Sequence, residues 1–241
     1  MLEGQSVFIA TPTLDGRLIL QWVSGALQMQ ARYPGRLRFD CFKSSFIPKS
    51  RDILTQRFVD SGATHLLFID ADIGWTPNDA DALLDAGVDV VCGCYCKKQA
   101  DRGPTWRLLP GQGDLRIAKG WMLPAGFMLI SRACIERMLE AYGAHPYSSG
   151  GVRSPGLWTG PIATTGNYDG EDLSFCHRWR ALGGDCWVHR DVVLQHIGDS
   201  VYLPSAERAE AEEVSEPPRN PADMILQAKG IARTLKQEEA A

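Results

Sequence analysis

The 241-residue sequence contains no apolar run approaching the ~20 residues that a membrane span needs. Its start, Met1-Leu2-Glu3-Gly4-Gln5-Ser6, has no basic segment followed by an apolar one. Both absences predict a cytoplasmic protein without a transmembrane segment. No G-x-G-x-x-G follows the first apolar run, which argues against the usual dinucleotide fingerprint. Seven cysteines are present, yet Cys92, Cys94 and Cys96 alternate along one predicted strand instead of forming C-x-x-C pairs, and no histidine stands at zinc-site spacing. Packed, reduced thiols are the expectation. Excess charge is scarce too. Of the net −4, the residues from Ser205 onward carry −3, so the body is nearly neutral and lacks a broad electrostatic grip on nucleic acid.

What is present is alternation. Val7-Phe8-Ile9-Ala10 reads as a strand, followed by a loop containing Thr11-Pro12-Thr13 and an amphipathic helix over 18–32. Taken alone, the two threonines suit either an ST-type turn or a nucleotide seat. Residues 37–42 alternate as a second strand, and a helix is predicted over 49–60. Arg51 near its start is electrostatically contrary, since a helix amino end prefers negative charge, and the position suits it best if it faces an anion. A strand over 66–69, a helix over 77–86 and a strand over 88–95 ending at Lys97-Lys98 complete four strand-helix units, which predicts a parallel, doubly wound sheet. The pattern then breaks over 100–120, resumes with a strand over 127–130 and a helix over 132–142, and breaks again over 143–170. Long irregular stretches of that kind are often functional. Glu171-Asp172 opens a further helix stopped by Gly183-Gly184. Short strands over 185–188 and 192–194 lead to His196-Ile197-Gly198. A breaker at Pro217-Pro218 precedes an amphipathic helix over 222–236.

The chemistry concentrates where the third strand ends, at Phe68-Ile69-Asp70-Ala71-Asp72. Carboxylates at the carboxyl edge of an α/β sheet stand where such folds bind ligands, and two so close require a cation, a base or a ligand between them. Glu171-Asp172 and His196 supply further donors a hundred residues on. A carboxylate with an imidazole suits Mn2+ or, less selectively, Mg2+. A metal held this way, with open positions, fits a diphosphate leaving group, and a separate carboxylate could act as general base.

The ordered set resembles the GT-A-fold glycosyltransferases, in particular small bacterial and phage members similar to glycosyltransferase family 2. The residues that carry the likeness are Thr11-Pro12-Thr13, Arg51, Asp70-Ala71-Asp72 as a DxD motif, Gly126-Phe127-Met128-Leu129-Ile130, Gly170-Glu171-Asp172 with Arg178-Trp179, and His196-Ile197-Gly198. It spans roughly residues 5 to 200. The resemblance implies an α/β, Rossmann-like GT-A domain over 1–204 with a mostly parallel central sheet flanked by helices. Its nucleotide half would be about 1–98 and its acceptor half about 99–204, followed by a helical, partly flexible tail over 205–241. It further implies a metal-dependent hexosyl- or pentosyltransferase moving a sugar from a nucleoside-diphosphate sugar to a hydroxyl acceptor, with inversion. Thr11, Pro12, Thr13, Arg51, Asp70, Ala71 and Lys97 would meet the donor, Asp72 and His196 the metal, and Asp172, seconded by Glu171, would be the base. Lys98 is a further candidate for phosphate or acceptor. Asp52 departs from the pattern, since relatives carry a neutral residue there.

The acceptor stays open between a glycan, a small molecule and hydroxymethylated DNA. The last would need a basic groove drawn from Arg102, Arg107, Arg116, Lys119 and Arg153. A non-catalytic nucleotide-sugar-binding protein is another alternative. A haloacid-dehalogenase phosphatase fits less well, because Gly74 stands where that chemistry wants Thr or Val. A second copy of the chain is a candidate partner for the C-terminal helix.

Overall fold

A computed structural model describes residues 4–99, 103–114, 116–143, 147–149, 152–158 and 170–204. Eight strands form the main sheet: β1 (Val7–Thr13), β2 (Leu37–Lys43), β3 (His65–Ile69), β5 (Val90–Cys94), β6 (Arg107–Gly113), β7 (Ile117–Met122), β8 (Phe127–Ser131) and β11 (Cys186–Val193), in the order β2-β1-β3-β8-β5-β11-β7-β6. Only β8 and β7 run against the rest. A small second sheet joins β4 (Ile73–Gly74), β12 (Gln195–Ile197) and β13 (Val201–Tyr202), and β9 (Tyr147–Ser149) with β10 (Val152–Ser154) makes a hairpin. The architecture is the expected Rossmann-like α/β arrangement.

The apolar runs are continuous because the sheet is covered on both sides. Along β1, Phe8 and Ala10 face one cluster and Val7 and Ile9 the other. Along β3, Leu66 and Phe68 alternate in the same way with Leu67 and Ile69. Helices α2 (Ile47–Ser61), α4 (Arg132–Tyr142) and α5 (Glu171–Ala181) contribute Leu54, Phe58, Ile135, Met138 and Phe175 to the first layer. Helices α1 (Leu20–Arg32) and α3 (Pro77–Asp85) contribute Trp22, Met29, Ala80 and Leu83 to the second. A reciprocal Thr76–Asp79 capping box starts α3. All seven cysteines are free thiols, six of them buried, with Cys41 exposed.

Several sequence expectations need correction. The sheet is not a run of four parallel units: β8 enters antiparallel between β3 and β5. Thr11-Pro12-Thr13 is strand, paired with Cys41, Phe42 and Lys43, and not a loop. Helix α2 begins at Ile47, so Arg51 lies in its second turn. The irregular stretch over 100–120 contains the β6–β7 hairpin, whose register shifts mask its alternation. Residues 186–193 form one strand where two were expected. The expected tail over 205–241 lies outside the described residues.

Candidate functional site

The end of β3 is fixed by its backbone. The Asp70 amide donates to the Gly126 carbonyl (2.9 Å), Ile73 N–H returns to the Asp70 carbonyl (3.1 Å), and Ile197 N–H reaches the Asp72 carbonyl (2.9 Å). Three parts of the chain thus meet at Asp70-Ala71-Asp72. Beside them opens a cleft of about 590 Å³, lined by Pro12, Thr13, Arg51, Asp70, Ala71, Asp72, Glu171 and Asp172 among others. It lies beyond the carboxyl ends of β1 and β3, where α/β sheets take ligands.

Two charged centres flank this cleft. The first is built on Arg51, whose side chain is only 2% exposed. Its Nη2 donates to Asp70 Oδ1 (3.0 Å) and its Nη1 to the Ala125 carbonyl (3.2 Å). Its Nε lies 3.6 Å from Glu171 Oε1 and 3.9 Å from Asp172 Oδ1. Phe68 and Trp158 present their rings to the guanidinium at 5.1 and 5.6 Å. One cation therefore serves three acids. Burial works against the charge on Arg51, but Asp70, Asp172 and Glu171 outweigh it and favour the charged guanidinium. The acids respond unequally. Burial raises Asp70 while Arg51 restrains it. Burial also lifts Asp172, against the pull of Arg51, and with Glu171 and Asp70 pushing the same way its carboxyl reaches about 7. Asp172 Oδ1 is enclosed and accepts no hydrogen bond. A carboxyl poised near neutrality, with 30% of its side chain exposed beside the cleft, has the properties of a general base.

The second centre holds Asp72 and His196. The imidazole Nδ1 lies 2.8 Å from the Cys96 carbonyl oxygen. A carbonyl only accepts, so Nδ1 carries the proton and, in the neutral ring, Nε2 is the lone-pair nitrogen. That Nε2 stands 3.6 Å from Asp72 Oδ2. The Lys98 ammonium donates to the same oxygen at 2.5 Å. Burial works against ionisation of Asp72, but His196 and Lys98 outweigh it and bring the carboxyl down to about 2.

Of the remaining sequence candidates, Thr11 is fully buried in β1. Thr13 accepts from Gly16 N–H (3.0 Å) and donates to the Arg17 carbonyl (3.3 Å), so its hydroxyl closes a turn on the cleft wall. Lys97 is exposed and makes a backbone bond to Gly103. Asp52, the departure from the family pattern, is fully buried and accepts from Trp158 N–H (3.1 Å), while Trp158 Nε1 donates to Thr55 (3.0 Å) and its ring stacks on Phe175 at 4.3 Å. Arg178 donates to the Leu157 carbonyl. Asp52 and Arg178 thus anchor the Leu157-Trp158 segment over Arg51. The sequence pattern missed this Trp158 anchor, whose only signal was an isolated tryptophan among glycines. Trp179 is buried in the core with Nε1 donating to the Asp185 carbonyl (3.0 Å).

Gly126 is where a backbone must pass close. A Cβ there would stand 2.3 Å from the Tyr95 hydroxyl and 2.9 Å from Asp70 Oδ2. Gly126→Ala is expected to lose about 1–3 kcal/mol through overpacking, about 3–10 °C in Tm. The displaced Asp70 carboxylate should be visible in a crystal structure of the variant.

Of the basic residues considered for a DNA groove, the described ones have partners within the protein. Arg116 pairs with Asp191 (3.4 Å), Lys119 with Asp185 (2.8 Å), and Arg107 donates to the Pro104 and Trp106 carbonyls. Arg102 and the Arg153 side chain lie outside the description.

No protein-family model and no curated protein sequence matches the chain. A glycosyltransferase involved in glycosylation of the major capsid of PBCV-1 matches at 8% identity over 76% of this chain and 93% of that one, with a TM-score of 0.36. A mannose-1-phosphate geranyltransferase from Thermus thermophilus matches at 11% identity over 57% of this chain and 61% of that one, with a TM-score of 0.39. Both are too loose to carry a role across. A197 from STIV is similar at 15% identity over 90% of this chain and 100% of that one, with a TM-score of 0.53, and with it the chain shares a fold.

Proposed function

We propose that the chain transfers a sugar from a nucleoside-diphosphate sugar to a hydroxyl acceptor. The observation that carries the reading is the convergence, on one cleft at the carboxyl edge of the sheet, of Asp70-Ala71-Asp72 from β3 with Glu171-Asp172 from the first turn of α5. The donor's nucleotide would lie along Pro12, Thr13 and Asp70, with its diphosphate toward Asp72. Asp172 takes the proton of the acceptor hydroxyl as that oxygen attacks the anomeric carbon. The carbon–oxygen bond to the diphosphate breaks, and the leaving oxygen keeps the electron pair. Attack on the face opposite the diphosphate gives inversion. Arg51 holds Asp70, Glu171 and Asp172 in register and balances part of their charge.

Asp72 and His196 fit a divalent cation, Mn2+ or Mg2+. The donors are a carboxylate and an imidazole whose tautomer the Cys96 carbonyl already fixes. Among the described residues no group of three or more metal-binding side chains is present, so diphosphate oxygens and water would complete the shell. Such a cation, when bound, neutralises charge developing on the leaving diphosphate.

Mn2+ with UDP or GDP should raise Tm by several degrees, because a ligand that binds only the folded chain adds about 2.7 kcal/mol at a hundred times its Kd. Absence of any shift with a panel of nucleoside diphosphates would remove the donor site. Release of sugar in a screen of nucleotide sugars then names the donor.

A further inference from the structure

Asp72 already holds a cation, and it belongs to the protein. Lys98 Nζ lies 2.5 Å from Asp72 Oδ2, the oxygen that His196 Nε2 faces at 3.6 Å. The lysine reaches it over Gly198, where a Cβ would stand 3.1 Å from Lys98 Cδ and 3.6 Å from Cε. The glycine of His196-Ile197-Gly198 thus leaves space for the lysine stem, and any larger residue would press on it. Asp72 and Lys98 keep 39% and 30% of their side chains exposed, so either can change partner without disturbing the core.

One carboxylate oxygen cannot serve two cations well. A Mn2+ or Mg2+ ion sits about 2 Å from a carboxylate oxygen. With the ammonium also on that oxygen, the two positive centres would stand within about 4 Å of each other, and like charges that close oppose one another. The four-carbon stem of lysine allows the ammonium to move, and its strongly hydrated point charge suits phosphate oxygens. A diphosphate brought to Asp72 offers such oxygens within a side-chain swing.

From this geometry we infer that the Lys98 ammonium and a divalent cation are alternative occupants of Asp72, and that an arriving diphosphate draws the lysine off the carboxylate and so opens it to the metal. The proposal rests on the donor-site reading only for its second half. Lys98 is then a positioning residue that couples the two ligands. The free protein takes the metal weakly, the nucleotide-bound protein takes it well, and by linkage the metal strengthens nucleotide binding by the same factor. A cleft organised this way avoids holding a bare metal ion before the donor arrives.

The test is a Mn2+ titration followed by the electron paramagnetic resonance of the free ion, on the full chain and on Lys98→Met, first without nucleotide. Thermal unfolding confirms that the variant folds. Lys98→Met is expected to bind Mn2+ at least tenfold more tightly than the parent, and His196→Gln in that background should remove the gain, which places the ion at Asp72 and His196. UDP or GDP should then tighten Mn2+ binding at least tenfold in the parent and much less in Lys98→Met. Equal Mn2+ affinity of the two proteins without nucleotide overturns the proposal. So does a gain in Lys98→Met that survives His196→Gln. A nucleotide effect of equal size in both proteins overturns the coupling. If no nucleoside diphosphate binds while Lys98→Met still gains Mn2+ affinity, the donor reading falls and the competition for Asp72 stands.

Discussion

Asp172→Asn is expected to lower kcat by about 10²–10⁴, the usual worth of a positioned general base, while making the folded protein more stable at pH 8. The two effects share a cause. Burial beside Glu171 and Asp70 lifts the Asp172 carboxyl from 3.8 to about 7. An acid raised on folding keeps in the native chain a proton that the unfolded chain has already released. Stability therefore falls as pH climbs from about 4 toward 7, and the deficit persists above that. Asparagine has no proton to lose, so the Tm of the variant relative to the parent should grow between pH 5 and pH 8. In the parent, kcat/KM should rise through a pH of about 7 as the base ionises. Turnover retained in Asp172→Asn would pass the role to Glu171. A Tm difference flat with pH would show that Asp172 is not held protonated by its surroundings.

Arg51→Met should be the most damaging single substitution in the cleft. It leaves Asp70, Glu171 and Asp172 without their shared counter-charge, and breaking a buried ion pair from one side costs about 3–5 kcal/mol. For a chain of this size that is about 10 °C in Tm. The methionine stem keeps much of the contact with Phe68 and Trp158, which separates charge from packing. The loss should be larger at pH 8 than at pH 5, where the raised carboxyl of Asp172 takes up a proton and needs the guanidinium less. Equal losses at both pH values would assign Arg51 a packing role against the two rings. Thermal unfolding across that range decides it.

Arg51 also shows how far the sequence could be read. A base near a helix start suggested an anion opposite, and anions are there, but they are the protein's own carboxylates, delivered from β3 and from a helix 120 residues away. Local pattern carries the expectation of an anion and nothing about its source. The strands expected at 7–10, 66–69, 88–95 and 127–130 were legible because residues buried on both faces leave a nearly continuous apolar run. Their directions were not, because such a run reads the same whichever way it is laid into the sheet. The β6–β7 hairpin was hidden by Pro110, Gly111 and Gly113, which break its alternation. In the site, the paired acids and His196 stood out by type and order. The Cys96 carbonyl that sets the imidazole tautomer and the Ala125 carbonyl that holds Arg51 are backbone atoms, which no residue pattern announces. Lys98 was one of two adjacent lysines, and only the fold shows which of them reaches Asp72.

The antiparallel strand at the centre of the sheet bears on how the chain is made. Each of the two neighbours of β8, β3 and β5, precedes it in sequence, and they do not pair with each other. A nascent chain that has emerged only as far as residue 98 carries β1 to β5 with a gap where Phe127–Ser131 belongs, exposing the facing edges of β3 and β5. The segment expected from the sequence to be the nucleotide half thus lacks the strand that joins β3 to β5. Its acid at Asp70 meets the Gly126 carbonyl only after some thirty further residues have been added, and Asp72 meets Ile197 only after about a hundred. Non-local pairing of this kind slows folding and leaves strand edges open meanwhile. Fragments ending near residue 98 should aggregate, which light scattering would show.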